Sequence, residues 1–231
     1  MRDARPEYAP PRYAPPKPVK WDYTRAEIIA DGIVHALGVK LAIVGVAALT
    51  IAAASRAGPL ELGSLAIYGF GLLSVLTISA LYNLWPVSPT KWVLRRFDHS
   101  AIYVLIAGTY TPFLAQLEAA QAAPLLVILW GTALVGVTLK LAFPGRFDRV
   151  AIPLYLAMGW SGVLGGEPLF DALSPTALWL IVIGGLIYCA GIVFHLWESL
   201  RYQNAIWHVF VLAGSVCLYF AVFDAVVWAK G

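Results

Sequence analysis

Charge is what this sequence has least of. Asp, Glu, Lys and Arg together make up 13% of its 231 residues, while 60% are hydrophobic and the mean hydropathy is +0.76. Soluble domains carry about twice that share of charge, so a soluble globular protein is excluded and a bilayer is the expected solvent. Cysteine is almost as scarce. Cys189 and Cys217 both fall inside apolar stretches, so a disulfide would need the sixth and seventh stretches to bring them together, and two free, buried thiols are expected. No polar stretch long enough for a soluble domain remains. The start of the chain has no apolar run either: residues 1–20 hold six of the fifteen prolines, which argues against a signal peptide.

What is present is seven apolar stretches, at about 27–54, 64–85, 97–117, 123–143, 149–167, 175–197 and 205–228. Each approaches or exceeds the roughly 20 residues needed to cross about 30 Å of hydrocarbon. The expected fold is an all-α integral membrane protein, a seven-transmembrane helix bundle over residues 26–231. Residues 1–25 are expected to form a disordered, proline-rich basic tail in the cytosol. Thirteen of the sixteen basic residues lie on one side of the stretches: Arg2, Arg5, Arg12, Lys17, Lys20, Arg25, Lys91, Arg95, Arg96, Lys140, Arg146, Arg149 and Arg201. The other side has Arg56 and Lys230, and Lys40 lies within the first stretch. The positive-inside rule then sets the N-terminus in the cytoplasm and the C-terminus outside, in a multi-pass protein of the inner (plasma) membrane.

With that orientation the polar side chains share one depth. Asp31 and His35 are four apart on the first stretch, Ser79 and Asn83 four apart on the second, and Asn204 and His208 four apart on the seventh. Asp98 and His99 open the third, and His195 closes the sixth. Groups of this kind at membrane depth cost several kcal/mol unless paired or hydrated, so they face a bundle interior by default. The expected pocket comprises Asp31, His35, Lys40, Ser79, Asn83, Asp98, His99, Asn204 and His208, with Lys40 stretching back toward it and, on a sharper reading, neutralising Asp98. A plainer reading makes each a helix-end residue, with Asp98 and Asn204 as N-caps. Gly32, Gly131, Gly136 and Gly184 read as helix-packing positions.

The segments EIIADGIVHALG (27–38), SALYN (79–83), RRFDHSAIYVLIAGTYTPF (95–113), YLAMGW (155–160), GGLIYCAGIVF (184–194) and NAIWHVFVLAGSVC (204–217) resemble the hemolysin III family. This is the bacterial branch of the progestin and adipoQ receptor superfamily, which includes the adiponectin receptors. The resemblance covers nearly all of the chain after residue 25. It implies a seven-helix bundle with a cytosolic N-terminus and a zinc site near the cytosolic face. The family's ligands are a histidine closing a Ser-x-x-x-His motif and two histidines in a His-x-x-x-His motif, with an aspartate near the zinc-bound water. Carried over position by position, the serine is Ser79, the aspartate Asp98 and one ligand His208, while the other two ligand positions are Asn83 and Asn204. A neutral carboxamide is a poor zinc ligand. The pocket is therefore expected to be degenerate and metal-free, with no cofactor, although His35, His99, His208 and Asp98 would suffice as ligands by number.

Four functions follow. The first is a non-enzymatic membrane protein in lipid homeostasis or receptor-like binding, with membrane lipids as partners and no nucleic acid. The second, implied by the adiponectin receptor branch, is a zinc-dependent lipid amide hydrolase (ceramidase-like) in which Ser79 and Asp98 are the catalytic candidates. The third is the lytic activity in the family's name. The fourth, ion or retinal-based transport, is disfavoured by a nearly apolar outer half and by the absence of a lysine deep in the seventh stretch.

Overall fold

A computed structural model describes residues 20–229, and among them every regular element is helical. The chain forms α1 (Arg25–Ala53), α2 (Pro59–Leu84), α3 (Pro89–Leu114), α4 (Ala119–Ala142), α5 (Asp148–Gly159), α6 (Gly166–Ala172), α7 (Pro175–Leu196) and α8 (Gln203–Phe223). A 3-10 turn, Ser161–Gly165, joins α5 to α6, and a π-helical turn, Asp224–Trp228, extends α8. The tail expected over 1–25 lies outside the described residues as far as 19, as does Lys230. Its last residues are tied to the bundle: Trp21 Nε1 donates to the Tyr82 hydroxyl at 3.1 Å, and the Lys20 ammonium donates to the Glu198 carbonyl.

Among the described residues, five helices are long and apolar enough to cross a membrane: α1, α2, α4, α7, and α8 with its π-helical extension. The third and fifth expected stretches behave differently. α3 has the length, 26 residues, but begins at Pro89 rather than near 97, because Ser88 caps it and a proline at N1 presets the backbone. Its first turns carry Lys91, Arg95, Arg96 and Asp98. This corrects the reading of Asp98 as an N-cap, since it sits in the third turn. The fifth stretch breaks after Gly159. There the Tyr110 hydroxyl donates to the Gly159 carbonyl and accepts from the Gly162 amide at 3.0 Å, giving partners to backbone groups the interrupted helix leaves open.

Packing follows sequence order from α1 to α4, and α8 closes back onto α1 while α7 packs on α8. α3 is the central helix; Ala107, Phe113 and Leu114 are almost wholly enclosed. Small residues bring it against α2: a Cβ on Gly71 would lie 3.3 Å from the Leu105 Cα, and one on Gly108 would lie 3.3 Å from the Ile67 carbonyl. Gly136 receives the ring of Tyr103, and Gly184 lies against Cys217 and the Gly214 carbonyl. Gly131 has open space around it, so its expected packing role is not met. α5 packs on α3 and α4, and α7 on α8, but α5 and α7 barely meet. Trp160 spans that gap, its Nε1 3.4 Å from the Sγ of Cys189 and its ring beside Gly185. Both cysteines are free, as expected, but half-buried rather than buried.

Candidate functional site

The buried residues of α1 are Asp31, His35, Gly38, Ala42, Leu49 and Ala53, a single stripe at helical spacing. Its apolar part meets the core, and its first two members put a carboxylate and an imidazole one turn apart on the same face. Capping fixes the helix's start. Glu27 and Thr24 form a reciprocal capping box, and Glu27 Oε1 also accepts the amide of Tyr202, a residue held at φ 59° just before α8. That contact brings the first turns of α1 and α8 together and sets His208 opposite Asp31.

His208 Nδ1 lies 2.6 Å from Asp31 Oδ1, and its ring centroid is 4.3 Å from that of His35. His35 Nε2 is 3.5 Å from Asp31 Oδ2 but makes no hydrogen bond, and that nitrogen is buried. Two asparagines extend the cluster. Asn204 Nδ2 donates to Asn83 Oδ1 at 2.8 Å and reaches Asp31 Oδ2 at 3.4 Å, while Asn83 Nδ2 donates to the carbonyl and hydroxyl of Ser79 at 2.9 and 3.2 Å. Asp98, 9% exposed, stands beside Ser79 and His208.

A cavity of about 320 Å³ opens next to this cluster. His35, Ser79, Asp98, His99 and His208 line it, and Asp31, Asn83 and Asn204 lie directly behind, bonded as described. Most of its remaining wall is apolar and aromatic, from Leu105 and Ile106 to Tyr110, Phe113, Trp160 and Ile181. Lys40 is not in the pocket. It is exposed, because nine residues beyond Asp31 at 100° per residue place it half a turn away, on the opposite face of α1.

Sequence reasoning passed over a second polar group on the cavity wall. Arg95 Nη2 and Lys140 Nζ both donate to Asp148, at 3.0 and 2.7 Å. His99 belongs to this side, where its carbonyl accepts the Tyr155 hydroxyl at 2.7 Å. The available signal was Asp148 itself, the lone acid in the basic stretch 140–149. Lys91 is a second omission. Counted only as topogenic charge, it is buried and donates to the Asn83 and Trp85 carbonyls, both at 2.9 Å, capping the end of α2.

A family model described as Haemolysin-III related matches residues 25–219. The chain belongs to the hemolysin III family. It is 40% identical over 201 residues to the Hemolysin-3 homolog of Bacillus subtilis (strain 168), covering 87% of this chain and 94% of that protein. To Hemolysin-3 of Bacillus cereus it is 36% identical over 197 residues, 85% and 90% of the two chains. To the human Monocyte to macrophage differentiation factor it is 30% identical over 164 residues, 68% and 67% of the two. These relatives, with the rice heptahelical protein ADIPOR2 at 29% identity, connect this hemolysin III chain to the progestin and adipoQ receptor superfamily. No solved structure matches it.

The zinc that this family implies does not fit the inherited positions. Asn83 and Asn204 spend their amide nitrogens on hydrogen bonds, and the Asn83 oxygen already accepts from Asn204. A carboxamide nitrogen is a donor with no lone pair to give. That leaves His208, whose Nδ1 is engaged with Asp31. The set that does converge is Asp31, His35 and His208.

Proposed function

We propose that this hemolysin III chain is a seven-span protein of the inner membrane, N-terminus cytosolic and C-terminus outside, whose cavity binds a membrane lipid. α3 and the α5–α6 segment supply the two crossings beyond the five apolar helices. Support comes from the length of α3 and from its burial at the centre of the bundle. The broken fifth segment runs from Asp148 to Ala172, 25 residues, and its break is hydrogen-bonded to Tyr110. Lys20 reaches Glu198 in the α7–α8 connection, and Arg95 and Lys140 reach Asp148 at the start of α5, so these basic residues fall on the side that the positive-inside rule assigns to the cytosol.

The observation that carries the lipid reading is the cavity's make-up: a charged and hydrogen-bonding end continuous with an apolar, aromatic wall that reaches the loosely packed gap between α5 and α7. An amphipathic molecule matches both ends, its headgroup at Asp98, His99 and Arg95 and its chain along Ile106, Phe113 and Ile181. Entry sideways through the gap needs no passage through water. Role classes narrower than lipid binding, such as homeostasis or a receptor-like response, are consistent with such a site.

Mass spectrometry of gently solubilised protein is the test. A lipid should copurify near one per chain, and filling the wall with Ile106→Trp and Ile181→Trp should remove it while the folded protein remains. Equal lipid content in parent and filled variant would end the proposal. The amide hydrolase reading is favoured by one observation, Asp98 and Ser79 standing beside a His and Asp donor set. The lytic reading has the Bacillus relatives' names as its support.

A further inference from the structure

We infer that Asp31, His35 and His208 form a divalent transition-metal site, in which two donors of α1 join the one family ligand retained on α8. One donor atom from each of the three lies within 4.8 Å of the others, and all three residues are buried. Zinc holds imidazole nitrogen and carboxylate oxygen at about 2.0–2.2 Å, which sets neighbouring donors about 3.4 Å apart. Side-chain rotation within the existing backbone covers that difference. Two imidazoles and one carboxylate, with room on the cavity side, are a donor set suited to zinc and to similar borderline ions.

Three features of the structure favour an ion over a plain hydrogen-bond cluster. His35 Nε2 is buried with no hydrogen-bond partner although a carboxylate lies 3.5 Å away, and an unpaired buried nitrogen of this kind costs stability unless something binds it. Two buried carboxylates, Asp31 and Asp98, flank His208, while the cations on this side are bound elsewhere, Arg95 to Asp148 and Lys91 to the Asn83 and Trp85 carbonyls. A divalent cation would balance both carboxylates. The two asparagines then acquire a role. Asn204 donates to Asp31 and is itself held through Asn83 to Ser79, a chain that orients the carboxylate, as outer-shell groups do around metal ligands. The expectation of a metal-free pocket rests on the family's own ligand positions, and Asp31 and His35 are not among them.

The full-length protein in detergent, stripped with EDTA and titrated with zinc(II) against a chromophoric chelator, tests this. One equivalent should bind per chain, and His35→Gln should weaken binding by about a hundredfold. The metal-free form of that variant should melt no lower than metal-free wild type, which separates lost ligation from lost fold. Should it fail to fold, His35→Cys loaded with cobalt(II) decides. A thiolate-to-cobalt charge-transfer band absent from wild type supports direct ligation. Substoichiometric zinc on wild type, unchanged affinity in His35→Gln, or no charge-transfer band from the cysteine variant overturns the site.

Discussion

Asp31 on α1 and His208 on α8 are 177 residues apart in sequence and 2.6 Å apart in space, and this contact is the centre of the polar cluster. Both are buried, so neither can exchange its partner for water. Asp31→Ala leaves the His208 ring and the Asn204 amide without their acceptor. A loss of roughly 2–3 kcal/mol is expected, read as a lower melting temperature of the metal-free protein in detergent. An unchanged melting temperature would mean that the pair contributes no stability.

Lys40 supplies a contrasting case. Exposed on the far face of α1, it has no route to Asp98. Lys40→Met should not lower stability, since an ammonium facing lipid at this depth is itself costly. The effect should be the same in an Asp98→Asn background. Coupling between the two substitutions in a double-mutant cycle would contradict the structure.

Lys91 holds the end of α2 through two carbonyls. Lys91→Met keeps the stem and removes the charge-assisted bonds, at an expected loss of roughly 1.5–3 kcal/mol. Because one of those carbonyls belongs to Asn83, the variant should also loosen the Asn83–Asn204 bond. Hydrogen exchange of the α2 C-terminal amides would report it, and exchange equal to the parent would argue against the cap.

Gly136 on α4 lies directly against the ring of Tyr103 on α3. A Cβ at 136 would fall 2.4 Å from the Tyr103 ring, which is itself buried against Tyr155. Gly136→Ala should cost roughly 1–3 kcal/mol as overpacking. Adding Tyr103→Leu should recover part of the loss, and a simple sum of the two single effects would refute the contact.

Restoring the family's ligands tests the carried-over positions. Asn83→His with Asn204→His places two more imidazoles beside His208, within a pair that now stands 2.8 Å apart. Zinc affinity should rise by at least about tenfold with one equivalent still bound, since His208 is shared. A folded double variant with the parent's affinity would show that these positions do not face one ion.

Membrane residence and helical class were legible in the chain because scarce charge and long apolar runs leave the backbone few other ways to satisfy its hydrogen bonds in lipid. Family membership was legible too, in segments such as FDHSAIYVLIAGTYTPF. So was the shared depth of Asp31, His35, Ser79, Asp98 and His208, which follows from where each falls in its apolar stretch. Which faces meet was not legible. Lys40 and Asp31 share a helix, and the half turn between them matters only once α8 is known to lie on one side. Asp148 joins the cavity because α4 and α5 fold back to set it beside Arg95, 53 residues away. Sequence alone determined the solvent, the element type and the chemistry on offer, all of them properties of local composition and period. Only the tertiary structure decided that α1, not α2, supplies the donors facing His208, because that depends on how helices rotate to bury their stripes together.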